Sequence, residues 1–167
     1  ATQAIIRQQG PCYLRLGNAG GPLVYEKEPN FKLGKAIKLK EGKDVTLIST
    51  GGMLKETIEA SKHLEKDDVS VGILSMHTLK PIDSQAILES LDTKLIVTIE
   101  EHSTVGGLGS AIADLLIEIN SNNTRLLRIN IGPDLPQQIG SQTWLRKKYG
   151  LDAQSICQRV REKINSK

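Results

Sequence analysis

The sequence predicts an α/β domain of three layers, α/β/α, around a mostly parallel sheet of about five strands with one antiparallel edge strand. Three observations point there. Short β-branched apolar runs recur along the chain, and helix-period segments fill the spaces between them. Aromatic residues are only 3% of the 167, so the core has to be built from Ile, Leu, Val and Ala. Such a composition suits a sheet buried on both faces, and strand alternating with helix implies parallel strands joined by right-handed crossovers.

The elements follow in order. Pro11-Cys12-Tyr13-Leu14-Arg15-Leu16 reads as one strand after a helix end, belonging to a preceding domain, because a single strand makes no stable sheet. Residues 18–35 carry Gly20, Gly21, Pro22, Pro29 and Gly34 with little periodicity and read as a linker. The domain proper then spans 36–167. Ala36–Leu39 is expected to be the edge strand. The short turn Glu41–Asp44 favours an antiparallel partner for it.

Val45–Ser49, Val69–Leu74, Leu95–Ile99 and Leu126–Ile131 are the four strand runs, each bounded by turn residues. Val45–Ser49 should be central, with the next two runs on opposite sides of it. Leu54, Ile58 and Leu64 mark a first helix, and Ile87, Leu88 and Leu91 a second with Asp83 as its N-cap. Leu108, Ile112, Leu115, Leu116 and Ile119 follow a 3.6-residue period. Leu151, Ile156, Val160 and Ile164 give a closing amphipathic helix capped by Asp152.

Composition excludes several function classes. The net charge of +3 is mild, and the late basic cluster, Arg146, Lys147, Lys148, Arg159, Arg161 and Lys163, reads as a solvated helix face rather than a nucleic-acid surface. Cys12 and Cys157 are far apart and, with three scattered histidines, make no metal site. Cysteine usage fits a reducing, cytoplasmic compartment, and no apolar run is long enough to span a membrane. Ala1 stands where a Met would begin the chain, within a helical stretch, which suggests a piece of a longer polypeptide.

Chemistry concentrates at two strand–glycine–helix junctions, Glu100–Ser110 and Ser49-Thr50-Gly51-Gly52. First-turn amides there can bind an anion, and both junctions would lie at the carboxyl edge of the sheet, where α/β proteins usually bind ligands. The set Glu101, His102, Gly106, Gly107 and Gly109 is therefore a candidate anion loop or interface loop. Gly-Gly-x-Gly matches a dinucleotide fingerprint poorly, which favours close packing or a partner chain. His102 and His77 read as hydrogen-bonded structural histidines, His63 as exposed, and Cys157 as a buried apolar group. Arg15, at a strand end before Gly17, either presents its fork to a phosphate or is an ordinary surface arginine.

Five motifs appear in register: Asp44-Val45-Thr46-Leu47-Ile48; Leu79-Lys80-Pro81-Ile82-Asp83; Glu100-Glu101-His102-Ser103 with Gly106-Gly107-Leu108-Gly109-Ser110; Ile139-Gly140-Ser141; and Tyr149-Gly150-Leu151-Asp152. Together they resemble the C-terminal domain shared by transketolases and 1-deoxyxylulose-5-phosphate synthases, over about residues 36–165. Gly10–Gly17 resembles the last strand of the preceding pyrimidine-binding domain, so residues 1–17 would be its remnant. Arg15 then falls where the family carries an arginine for the sugar phosphate. His-Ser after Glu100-Glu101 looks more like transketolase than the synthase.

The resemblance implies a parent that transfers two-carbon ketol units between sugar phosphates, as in the pentose phosphate pathway. It would use thiamine diphosphate with magnesium or calcium. The cofactor's binding groups would lie on domains outside this chain. The chain alone is then expected to bind no cofactor, to have no catalytic residue, and to serve structure and homodimerisation. The alternatives are the equivalent domain of the synthase or of a 2-oxoacid dehydrogenase E1 β-subunit, and, in another class, a stand-alone anion- or nucleotide-binding module.

Overall fold

Val45–Ser49 (β2) lies at the centre of the sheet, with every residue buried. The computed structural model describes residues 1–17, 23–121, 124–134 and 136–166. On one side of β2 lies Val71–Ser75 (β3), parallel and in unbroken register from Val45↔Val71 to Ser49↔Ser75. On the other lies Leu95–Ile99 (β4), parallel from Val45↔Leu95 to Ser49↔Ile99. Leu126–Ile129 (β5) continues outward beside β4, and Ile37–Lys40 (β1) closes the opposite edge, antiparallel to β3. The predicted architecture and the central place of β2 are both found.

Helices cover both faces, which is why β2, β3 and β4 carry apolar residues without alternation. Leu54–Glu65 (α2) and Ala153–Asn165 (α6) pack on one face, where Leu47, Val97 and Ile99 meet Ala60, Leu64, Ile156 and Val160. Ser84–Glu89 (α3) and Leu108–Glu118 (α4) cover the other, where Ile48, Leu74 and Ile96 meet Ile87, Leu108 and Ile112. Each Leu, Ile or Val among them contributes about 1.5–3 kcal/mol by leaving water. Asp83 and Asp152 cap their helices as expected, accepting the amides of Ala86 and Ser155.

Four details differ from expectation. β3 begins at Val71, because the Ser70 amide is taken by the Asp44 carboxylate at 2.8 Å and the Ser70 carbonyl by the amides of Asp44 and Val45. β5 stops at Ile129; beyond it the Ile131 amide turns to the His102 carbonyl. Gln142–Lys148 forms a helix (α5) that the apolar pattern does not announce. Thr2–Ile6 is helical (α1), but Cys12–Leu16 forms no strand, and all five strands of the described residues belong to the one sheet built on β2.

The linker expected at 18–35 falls partly outside the described residues, at 18–22. Its later part is fastened to the domain. Val24 and Tyr25 pack on the first core, and Tyr25 donates to Ser75 Oγ at 2.9 Å. Phe31 stacks on His77 with centroids 4.1 Å apart, and the Ala36 amide donates to Asp83 at 2.8 Å.

Candidate functional site

In a parallel sheet the strand order reverses at one place, and ligands usually bind there, beyond the carboxyl ends. Here that place lies between β2 and β4. The loops leaving these strands, Thr50–Met53 and Glu100–Gly107, do come side by side: a Cβ built on Gly52 would stand 3.6 Å from Glu101 Oε2.

The helix start at Gly107–Gly109 is already filled. Glu100 is 1% exposed, and its two carboxylate oxygens accept the amides of Leu108 and Gly109, both at 2.7 Å. The chain thus supplies its own anion to the first turn of α4, satisfying orphan donors and the helix dipole together. Close packing, the reading the sequence favours over an anion site for these glycines, fits this geometry. Gly107 also acquires a reason inside the monomer, because a Cβ there would overlap Glu100 Oε2. At Gly109 a Cβ would crowd Arg128 Nε at 2.7 Å and Thr98 Oγ1 at 2.9 Å.

The crevice itself is closed by α5. Arg146 reaches in from that helix, its Nε donating to Glu101 Oε1 at 2.7 Å and its Nη2 to the Gly52 carbonyl at 3.2 Å. Its Nη1 lies 3.6 Å from Glu56 on α2, whose other carboxylate oxygen accepts the Ala153 amide at the start of α6. Arg146 keeps only 12% of its side chain exposed. One guanidinium therefore ties both switch-point loops to α2 and α5, and Glu56 carries the link on to α6. The late basic cluster is likewise not simply a solvated face: Arg159 donates to the Arg128 carbonyl and Arg161 pairs with Asp67.

His102 takes part in no acid pair among the described residues. Its Nδ1 lies 3.2 Å from the Ser103 carbonyl, while its own carbonyl accepts the Ile131 amide. Gly106 turns with φ +83°, and its amide donates to Ser110 Oγ. Arg15 stands exposed in the segment before residue 17, and Cys157 is buried, its thiol pushed up by desolvation.

Sequence reasoning assigned no contact to Glu100 or Glu56 and read Arg146 as part of a solvated helix face. Strand parity could have found the first: Ile96 packs with the α4 core, so Glu100, four residues on, leaves β4 toward α4.

The glycine-rich start of α4 is occupied by Glu100, and among the described residues no group of three or more His, Cys, Asp or Glu stands where it could hold a metal ion. Among the described residues no helix is long and apolar enough to cross a membrane.

The chain matches the family model for the transketolase C-terminal domain over residues 34–156. It is 38% identical, over 97% of its length, to a Methanocaldococcus jannaschii protein described as a transketolase C-terminal section, and spans 51% of that protein. It is 38% identical over 95% of its length to a 1-deoxy-D-xylulose-5-phosphate synthase of Chlorobium phaeovibrioides, spanning 25% of it. Among solved structures, one described as a split gene transketolase, inactive beta4 tetramer, superposes with a TM-score of 0.84 at 37% identity. That superposition covers 96% of this chain and 53% of the other. Fold, motif order and these likenesses agree: the chain belongs to the transketolase C-terminal domain family.

Proposed function

We propose that the chain is the non-catalytic, structural and dimerising C-terminal domain of a thiamine-diphosphate-dependent transketolase. Its parent moves two-carbon ketol units between sugar phosphates. The observation that carries this reading is the closed switch point: Glu100 fills the helix start and Arg146 fills the crevice. A switch point filled from within suits a domain that packs against neighbours there rather than one that binds substrate there.

Partner domains are supported by the coverage, since the chain spans about half of its archaeal relative. Self-association is supported by the related split-gene protein, described as a tetramer and as inactive. The cofactor and its magnesium or calcium belong, on this reading, to domains outside this chain. Arg15 keeps the role of contacting the sugar phosphate in the assembled enzyme, through a charged hydrogen bond of roughly 1.5–3 kcal/mol.

Calorimetry of the chain with thiamine diphosphate and magnesium, beside a ketol-transfer assay and sedimentation, tests the proposal. Neither cofactor binding nor transfer is expected, and the chain should self-associate. Cofactor binding in the micromolar range would overturn it. The second reading, a deoxyxylulose-phosphate synthase domain, is favoured by the 38% identity to the Chlorobium protein. Assaying the assembled enzyme with a ketose phosphate and with pyruvate as donors separates the two.

A further inference from the structure

We propose that residues 24–35 form a pH-sensitive strap: a neutral His77 clasps the segment near the carboxyl end of β3, and a proton on that ring releases it. The strap is held at points rather than along its length. Among the described residues its backbone-to-backbone bonds are local, from Phe31 to the Pro29 carbonyl and from Lys35 to the Lys32 carbonyl, so no ladder joins it to the sheet. Clefts of about 530 and 860 Å³ lie along it, one toward Gly51 and Leu54, the other toward Leu39 and Ile58. Its fastenings are Val24 and Tyr25 on the first core, the stack of Phe31 on His77, and Lys35 with the Ala36 amide on Asp83.

The middle fastening is the one that titrates between mild acid and neutrality. His77 Nδ1 lies 2.9 Å from Thr78 Oγ1, and among the described residues Nε2 is buried with no hydrogen-bond partner. A neutral imidazole tolerates this, since one of its nitrogens is only an acceptor. An imidazolium carries N–H on both nitrogens, so closure would bury a charge and an unpaired donor together. Lifting the strap away from the ring lets water supply the missing acceptor.

The groups around the ring do not reverse this. Glu26, Lys27 and Glu28 line the cleft beside His77 but are exposed. The Lys35 ammonium and Asp83 pair with each other at 3.3 Å. Burial of the ring is the largest influence and opposes the charge. The Lys35 carbonyl favours the proton, the Ala1 ammonium opposes it, and the imidazole is held below its ordinary value. The Phe31 face attracts an imidazolium, a gain that stays small where water shares the site. The open form therefore binds the proton more tightly. The clasp is complete above the ordinary value of ~6.5 and weakens as pH falls below it. The proposal concerns the strap alone and does not rest on the activity of a parent enzyme.

NMR of the chain from about pH 8 to about pH 5, a range above that in which Asp83 titrates, tests it. The His77 ring protons should titrate below the ordinary value. The Phe31 ring and the amides of Glu28, Asn30 and Lys32 should move with the same midpoint, while the Leu47 amide at the sheet centre stays still. Phe31→Ala should return the His77 midpoint to the ordinary value and leave the strap open throughout. His77→Phe keeps an aromatic face without the proton and should stay clasped throughout. As pH falls, the open-to-clasped ratio should rise toward the ratio of the ring's proton affinity in Phe31→Ala to that in the unaltered chain. The titration of the unaltered chain decides the question if a variant does not fold. A midpoint at or above the ordinary value, a ring still neutral at about pH 5, a strap that stays clasped over a protonated ring, or a folded Phe31→Ala chain with an unmoved midpoint would overturn the proposal.

Discussion

Glu101 and Arg146, 45 residues apart in the chain, meet at 2.7 Å across the gap between the loops leaving β2 and β4. The same guanidinium holds Gly52 and Glu56, so removing it leaves Glu101 with Gln142 alone, Glu56 with the Ala153 amide alone, and the Gly52 carbonyl without this donor. Exposed pairs contribute up to ~1 kcal/mol and breaking buried ones costs about 3–5; this half-buried set lies between. Arg146→Ala should lower stability by about 2 kcal/mol in urea unfolding. A double-mutant cycle with Glu101→Gln should show coupling.

Gly107→Val tests whether the glycine loop serves the interior or an interface. The sequence leaves this loop to close packing or to a partner chain. The geometry favours packing, because a Cβ at Gly107 overlaps the Glu100 carboxylate and would expel it from the α4 amides. The variant should lose roughly 3 kcal/mol or more, overpacking and a lost cap together. A melting temperature that falls at concentrations where the chain remains monomeric would bear this out; an unchanged melt with weakened association would restore the interface reading.

Asp83 makes stability depend on acid. Burial of its carboxyl opposes the charge, but the amides of Ala36 and Ala86 and the Lys35 ammonium outweigh it and hold the group below its ordinary value. A carboxyl depressed in the native state lends stability that is complete above its unfolded value of ~4 and fades as pH falls through the native one. Urea midpoints measured from pH 7 down to acid should therefore decline below that value. Asp83→Ala should flatten part of the decline.

The two cysteines should differ in reactivity. Cys157, on the buried face of α6, is 2% exposed, and burial pushes its thiol up, so little thiolate forms near neutral pH. Cys12 is exposed. One equivalent of iodoacetamide should label Cys12 rapidly, with Cys157 labelled only on the timescale of unfolding, as peptide mass mapping would read.

The sheet was legible because its strands are buried on both faces, which forces continuous runs such as Leu95–Ile99. Two caps were legible because an aspartate before an amphipathic run has one favoured use. The helix α5 was hidden by the opposite circumstance. It buries no residue fully, and polar contacts from Arg146 and Gln142 to Glu101 help hold it, leaving no apolar period to read. The site was half legible. Proximity of the two glycine junctions follows from strand order, but Glu100 and Glu101 look alike as letters. Only the direction each takes from β4 makes one a helix cap and the other an ion-pair partner.

The sheet has two open edges, and both are guarded. At β1, Lys38 and Lys40 are tied to Glu89 and Glu65, so a strand arriving from another molecule would meet paired charges. At β5 the carbonyl of Arg128 faces away from β4, and Arg159 already donates to it at 3.3 Å. An incoming strand meets paired side-chain charges at one edge and an occupied carbonyl at the other. A chain so rich in β-branched apolar runs is raw material for cross-β stacking. Its two borders confine those runs to a single molecule, and colloidal stability at high concentration rests on a handful of lysines and arginines at the margins of the sheet.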